Sequence, residues 1–194
     1  MPFVGLSAAD TIDDPLGVAM SQSLDDPALQ ALFDYWVRIR GQRPMPSRAD
    51  LDPVEISAPL LPHVTLQDVV FDQGRRRYRY RLIGAVLEQA LGAYPLHRFV
   101  DEMVPSKAGY RDFVLGIYDD MIDTRRPVYC KSVFALATHT RPVLTKRLTM
   151  PLSSDGETVD MAFVGHSVEY PDTAEPASLF AVEGFKVLER RYLG

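Results

Sequence analysis

The sequence predicts an α+β domain in which a five-stranded antiparallel sheet carries helices on one face, with one further helix on the N-terminal side. Three observations predict it. Apolar residues recur at helical spacing in two separate stretches, Leu29 to Trp36 and Tyr110 to Met121. Two strand-like runs meet at Asp72-Gln73-Gly74, before the second of those stretches. Three more strand-like runs follow Pro127. Strands grouped first and last, with helices between, close into a sheet covered on one side.

Residues 1–24 mix Gly, Ala, Ser, Asp and Pro without periodicity and read as a flexible arm. Order begins at Asp25-Asp26-Pro27, an Asp N-cap with Pro at the first helical position. The N-terminal helix then occupies 25–41, with Leu29, Leu32, Phe33 and Trp36 on one stripe, Arg38 and Arg40 in its last turn and Gly41 as its stop. That stripe either packs on the sheet or meets a second copy of the chain. Residues 42–194 make up the main domain.

Its first segment is rich in proline, and Asp50 to Pro53 reads as a capped turn opening a short helix through Ile56. Val64 to Phe71 and Tyr78 to Ile83 form a hairpin. On the return strand Tyr78, Tyr80 and Leu82 share one face, with Arg77, Arg79 and Arg81 on the other. Val86 to Ala93 is a short helix and Pro105 to Thr124 a long one, with Ser106 as N-cap and Pro127 barring its continuation. Val128 to Leu136, Val143 to Leu152 and Thr158 to Tyr170 are strands, the last two joined by a tight turn at Ser154-Asp155-Gly156. Phe180 to Tyr192 reads either as a final strand or as a short helix.

Composition narrows the function classes. The 194 residues are 46% hydrophobic and 24% charged, enough for one self-sufficient core. A single cysteine, Cys130, excludes an intramolecular disulfide and a cysteine-built zinc site. No apolar run is long enough to span a bilayer, and the acidic N-terminus is a poor signal peptide, so a soluble cytoplasmic protein is expected. A net charge of −5 argues against nucleic acid as the partner.

Local runs add a family resemblance. They are Tyr35-Trp36 followed by Arg38 and Arg40-Gly41; Pro46-Ser47-Arg48-Ala49-Asp50-Leu51-Asp52-Pro53; and Leu60-Leu61-Pro62-His63. Tyr78-Arg79-Tyr80-Arg81-Leu82-Ile83-Gly84 and Leu152-Ser153-Ser154-Asp155-Gly156 follow. In order and spacing, across about residues 29–168, the set resembles a bacterial single-domain subfamily of the PAS domain. Pro95-Leu96-His97 departs from the glycine usual there, beside the ligand cavity. The resemblance implies a sensory fold that binds a small ligand, a signalling protein such as a separate kinase or regulator, or both.

Candidate chemistry is sparse. No two of His63, His97, His139 and His166 share metal-site spacing, so no metal is expected. Haem-binding PAS domains usually carry the axial histidine on the long helix, which here has none, and Cys130 lies outside any flavin-adduct motif. The cofactor is therefore unknown. No phosphate loop or nucleophile elbow occurs. Leu82, Leu87, Tyr110, Phe113, Ile117, Phe134, Leu148 and Phe163 are the expected ligand pocket, with His97 and His166 as its polar members. Trp36, Arg77, Arg79 and Arg81 are the expected interaction surface, serving a protein partner or a homodimer. The leading expectation is a non-enzymatic signalling module acting in trans. The rivals are a small α+β enzyme using His97 or His166 as general base, and a ligand-free scaffold.

Overall fold

The structure is a computed structural model that describes residues 23–91, 96–136, 142–170 and 182–194. Helix α1 (Pro27–Arg40) comes first, followed by strands β1 (Val64–Asp72) and β2 (Arg75–Ile83). Helices α2 (Ala85–Leu91), α3 (Val100–Met103) and α4 (Tyr110–Thr124) come next, then β3 (Val128–Leu136), β4 (Val143–Leu152), β5 (Met161–Glu169) and β6 (Val182–Tyr192). All pairings are antiparallel, in the order β2-β1-β5-β4-β3-β6.

The sheet therefore has six strands, one more than expected. β6 pairs with β3 along most of its length. It is an edge strand dense in charge (Glu183, Lys186, Glu189, Arg190, Arg191), which hides the period-2 pattern a buried strand would show.

α1 begins and ends where the sequence places it. The Asp26 carboxylate accepts from the backbone N–H groups of Ala28 (3.0 Å) and Leu29 (3.1 Å). Gly41 closes the helix at φ 58°. Leu29, Leu32, Phe33 and Trp36 are buried against β4 and β5. α1 thus covers the second face of the sheet, and helices lie on both faces rather than one. Gly165 allows that approach: a Cβ there would stand 2.8 Å from Leu29 Cδ2 and Leu32 Cδ1. Trp36 is only 1% exposed and its indole N–H donates to the Pro151 carbonyl (2.9 Å), so it is a core residue rather than a surface one.

Several boundaries shift for local reasons. The long helix starts at Tyr110, not Pro105, because Ala108 (φ 55°) and Gly109 (φ 76°) both adopt left-handed backbone, so Ser106 does not cap it. Instead of one helix over Asp50 to Ile56 there are short 3-10 turns at Arg48–Asp50 and Ala58–His63. The β4–β5 connection is an open loop over 153–160, not a tight turn. The Asp155 carboxylate organises it, accepting from the backbone of Glu157 (2.8 Å) and Thr158 (2.6 Å). The β1–β2 turn is as expected, with Gln73 (φ 50°) and Gly74 (φ 78°) both left-handed.

One irregularity decides which face a residue joins. Leu66 pairs with Leu82 but Gln67 pairs with Tyr80, leaving Arg81 as an extra residue in β2. That bulge resets the alternation. Tyr78 and Tyr80 face the helical layer, whereas Leu82 joins Leu66 and Phe163 in a groove on the α1 side and is 41% exposed.

The α1 contact is testable. Gly165→Val should destabilise the fold by roughly 1–3 kcal/mol in urea denaturation, because two leucines of a packed helix must move. Unchanged stability would mean that α1 does not seat on β5 as described.

Candidate functional site

Between α2, α4 and the sheet lies a cavity of about 30 Å³. Its walls include Val86 and Leu87 from α2 and Tyr110, Phe113 and Ile117 from α4. The sheet supplies Cys130, Ser132 and Phe134 from β3, Thr145 and Arg147 from β4, and His166 and Val168 from β5. The volume suits one or two water-sized groups.

The sheet side of this space is unusually polar for a domain core. Alternation along β4 sends Thr145, Arg147 and Thr149 toward the helices and Leu148 toward α1, while Lys146 borders the cavity but carries its ammonium to Asp26 and Glu169 on the α1 side. The two adjacent cations are treated very differently. Lys146 is buried, yet its ammonium lies 2.8 Å from Glu169 and 3.7 Å from Asp26. Burial works against its charge, but Glu169, Asp25 and Asp26 outweigh it and hold its pKa above the ordinary value.

Arg147 has no such partners. Its neighbours across the ladder are Cys130 on β3 and His166 on β5. Its guanidinium interacts with the phenols of Tyr110, Tyr118 and Tyr80 and with the Cys130 thiol, and Tyr110 is its side-chain hydrogen-bond partner. Nε and Nη1 are shielded from solvent and have no hydrogen-bond acceptor. Among the described residues Arg147 forms no ion pair, and the residue retains partial exposure where it lines the cavity. A guanidinium does not shed its proton in a protein, so this is a fixed positive charge without a counter-charge.

Beside it runs a chain of hydroxyl, amide and imidazole. The Gln67 amide donates to Thr65 Oγ1 (2.7 Å), which lies 3.1 Å from His166 Nε2. Gln67 Oε1 and Thr149 Oγ1 are buried without partners. His166 is 5% exposed, and burial, then Arg147, then His63 push its pKa well below the ordinary histidine value, so the ring is neutral near pH 7. Burial pushes the Tyr118 phenol up to about 12. Burial also raises the Cys130 thiol, so it is not a thiolate nucleophile.

Of the expected pocket residues, Leu87, Tyr110, Phe113, Ile117, Phe134 and His166 meet around the cavity. Leu82, Leu148 and Phe163 do not. The β2 bulge turns Leu82 away, while Leu148 and Phe163 occupy the opposite phase of β4 and β5, under α1. His97 is exposed. Its segment runs along the edge of β2, where its N–H donates to the Tyr80 carbonyl (2.8 Å). His139 lies outside the described residues. Sequence reasoning missed Arg147 and Thr145 in the wall, and Thr65, Gln67 and Thr149 beside it, by searching for apolar residues. The available signal was Lys146-Arg147 within a strand: adjacent residues point to opposite faces, so a sheet covered on both sides must bury both cations.

The arginine ridge is neutralised within the chain. Arg77 spans Asp72 (2.7 Å), Asp101 (3.0 Å) and Glu102 (3.0 Å), with its guanidinium over the Phe99 ring, and is largely buried. Arg79 and Arg81 share Asp68, each at 3.3 Å, and stay exposed. Arg76 turns inward to Asp119 and Asp123 on α4. Among the described residues no cluster of His, Cys, Asp and Glu is arranged to hold a metal ion, and no helix is long and apolar enough to cross a membrane.

Residues 24–166 match the family model described as PAS domain, a stretch that runs from α1 to His166 in the cavity wall. Searches of curated proteins and of solved structures return no match.

His166 generates a pH prediction. Its folded pKa is depressed, so as pH falls below about 6.5 the unfolded chain takes up a proton that the folded chain refuses. Stability should therefore drop between pH 7 and pH 5 by roughly 2 kcal/mol, and His166→Gln should flatten that slope. Parallel profiles for the two proteins in urea denaturation would show that His166 titrates freely.

Proposed function

The chain belongs to the PAS domain family, and from that premise we propose that it is a sensory or regulatory module that binds a small ligand in the helix–sheet cavity and passes the signal to a separate protein. The observation that supports this reading is the cavity itself. It sits between α4 and the centre of the sheet, and Arg147 in its wall carries two N–H groups, at Nε and Nη1, that the fold leaves without an acceptor. A core selected only for packing would satisfy or remove such groups, because each costs on the order of 1–3 kcal/mol when left unpaired.

A ligand there would act by population shift. α4 contributes Tyr110, Phe113 and Ile117 to the cavity and, on its other side, Asp119 and Asp123 to Arg76 of β2. Its C-terminal half also bonds to the edge strand β6, through the ion pair of Asp120 with Arg190 and through Tyr192 OH (2.7 Å). A molecule that favours one seating of α4 thereby changes contacts at both edges of the sheet, where a signalling partner or a second copy of the chain would read it. An acidic partner at Arg79 and Arg81 would have to displace Asp68.

The enzymatic alternative finds less support. His97 stands at the exposed edge of β2 and does not line the cavity, and His166 has its ring engaged with Thr65, with the nearby Cys130 thiol held protonated by burial.

Native mass spectrometry of the freshly purified chain, with an absorption spectrum, tests the ligand reading. A retained small molecule that is lost in a cavity-filling Ile117→Trp variant is the expected result. A chain that carries no bound mass, and whose melting point no metabolite mixture moves, would favour the scaffold.

A further inference from the structure

We propose that the cavity is a site for a small monocarboxylate, with Arg147 as its counter-charge. The inference rests on the ligand-binding reading above and adds the chemistry of the ligand.

Charge comes first. Arg147 lines the cavity, and Nε and Nη1 have no acceptor. A guanidinium has two forked edges, Nε with Nη2 and Nη1 with Nη2, and each edge here carries an unpaired N–H. A carboxylate presents two oxygens at the matching spacing, and in a site of low dielectric such a charge-assisted pair is strong. Because Nε and Nη1 are covered by the neighbouring side chains, the guanidinium has to rotate toward the cavity to use both oxygens. That rotation couples binding to the Tyr110 and Tyr118 phenols that interact with it, and hence to α4.

Valence and size come next. Lys146 is engaged by Glu169 and Asp26 on the other face, and burial keeps His166 neutral. Among the described residues that line the cavity, Arg147 is therefore the one positive charge not already paired, which suits one carboxylate and leaves a second unpaired. The remaining wall is Leu87, Ile117, Phe134 and Val168, apolar surface for a short alkyl group. A volume of about 30 Å³ holds one or two water-sized groups, so a small carboxylate enters it only with the rotation of the guanidinium and a shift of α4, and no long chain fits.

The test uses the full chain, dialysed into buffer without small carboxylates, and follows thermal unfolding with sodium formate, acetate, propionate and succinate. Acetamide, the neutral counterpart of acetate, and sodium chloride at matched ionic strength are the controls. At a hundredfold excess over Kd, acetate or propionate should raise the midpoint by roughly 5–10 °C, with acetamide and chloride giving no comparable rise. Arg147→Met should weaken binding at least tenfold, and Ile117→Trp, which keeps the arginine and fills the space, should abolish it. Circular dichroism checks that each variant is folded; should Arg147→Met not fold, Ile117→Trp and the acetamide control decide.

Equal shifts with acetate and acetamide, equal acetate shifts in the wild type and Arg147→Met, or no shift with any of the carboxylates would overturn the proposal. A neutral molecule retained in native mass spectrometry alongside a negative carboxylate result would overturn this inference alone. Failure of both experiments would overturn the ligand-binding reading as well.

Discussion

Covering both faces of β4 and β5 is the constraint from which the rest of the structure follows. α1 lies on one side and α4 on the other, so alternation along β4 gives every second residue to a different interior. Lys146 and Arg147 are adjacent and must therefore be buried on opposite sides. The α1 side accepts its cation by bringing three acidic groups, Asp25 and Asp26 at the helix cap and Glu169 at the end of β5, to the ammonium. Asp26 thus does double duty, capping α1 and neutralising a strand beneath it. The α4 side brings phenols, a thiol and a neutral imidazole, whose dipoles soften the charge of Arg147 without balancing it.

That imbalance links energetics to dynamics. A desolvated charge without a partner costs on the order of several kcal/mol, so the layer that encloses Arg147 is held less firmly than its hydrophobic area alone would suggest. The same layer is tied elsewhere by strong local contacts. Tyr78 stacks on Tyr118 with ring centroids 4.6 Å apart, and its phenol donates to Asp119. α4 is thus anchored toward β2 and β6 and lies over an unpaired guanidinium, an arrangement in which a small counter-ion would have leverage on the seating of the helix.

Much of the fold was legible because local chemistry and global packing agree. Asp26-Pro27 and Gly41 set α1, Gln73-Gly74 set the first hairpin, and β3 and β4 begin and end at the residues the apolar runs suggest. The site was legible on its helical side, where Tyr110, Phe113 and Ile117 follow the 3.6-residue period of α4. It was less legible on the sheet side. Leu82 was misplaced by a bulge that no local signal announces, and Leu148 and Phe163 by the assumption that one face of the sheet is open. Once α1 covers that face, apolar residues of both phases are core, and the polar residues of β1, β4 and β5 become the distinctive feature. Arg147 and Gln67 were readable as strand residues, but the sequence says nothing of what surrounds them, and their meaning depends on there being no carboxylate paired with Arg147 among the described residues.

The most direct measurement is the equilibrium stability of Arg147→Met in a buffer without small carboxylates. If the guanidinium is an uncompensated charge, the methionine variant should be more stable than the wild type by about 1 kcal/mol or more. If Arg147 is instead a satisfied structural group, the substitution should cost about 3–5 kcal/mol, as removing one partner of a buried pair does, and that result would contradict the unpaired charge on which the reading of this cavity depends.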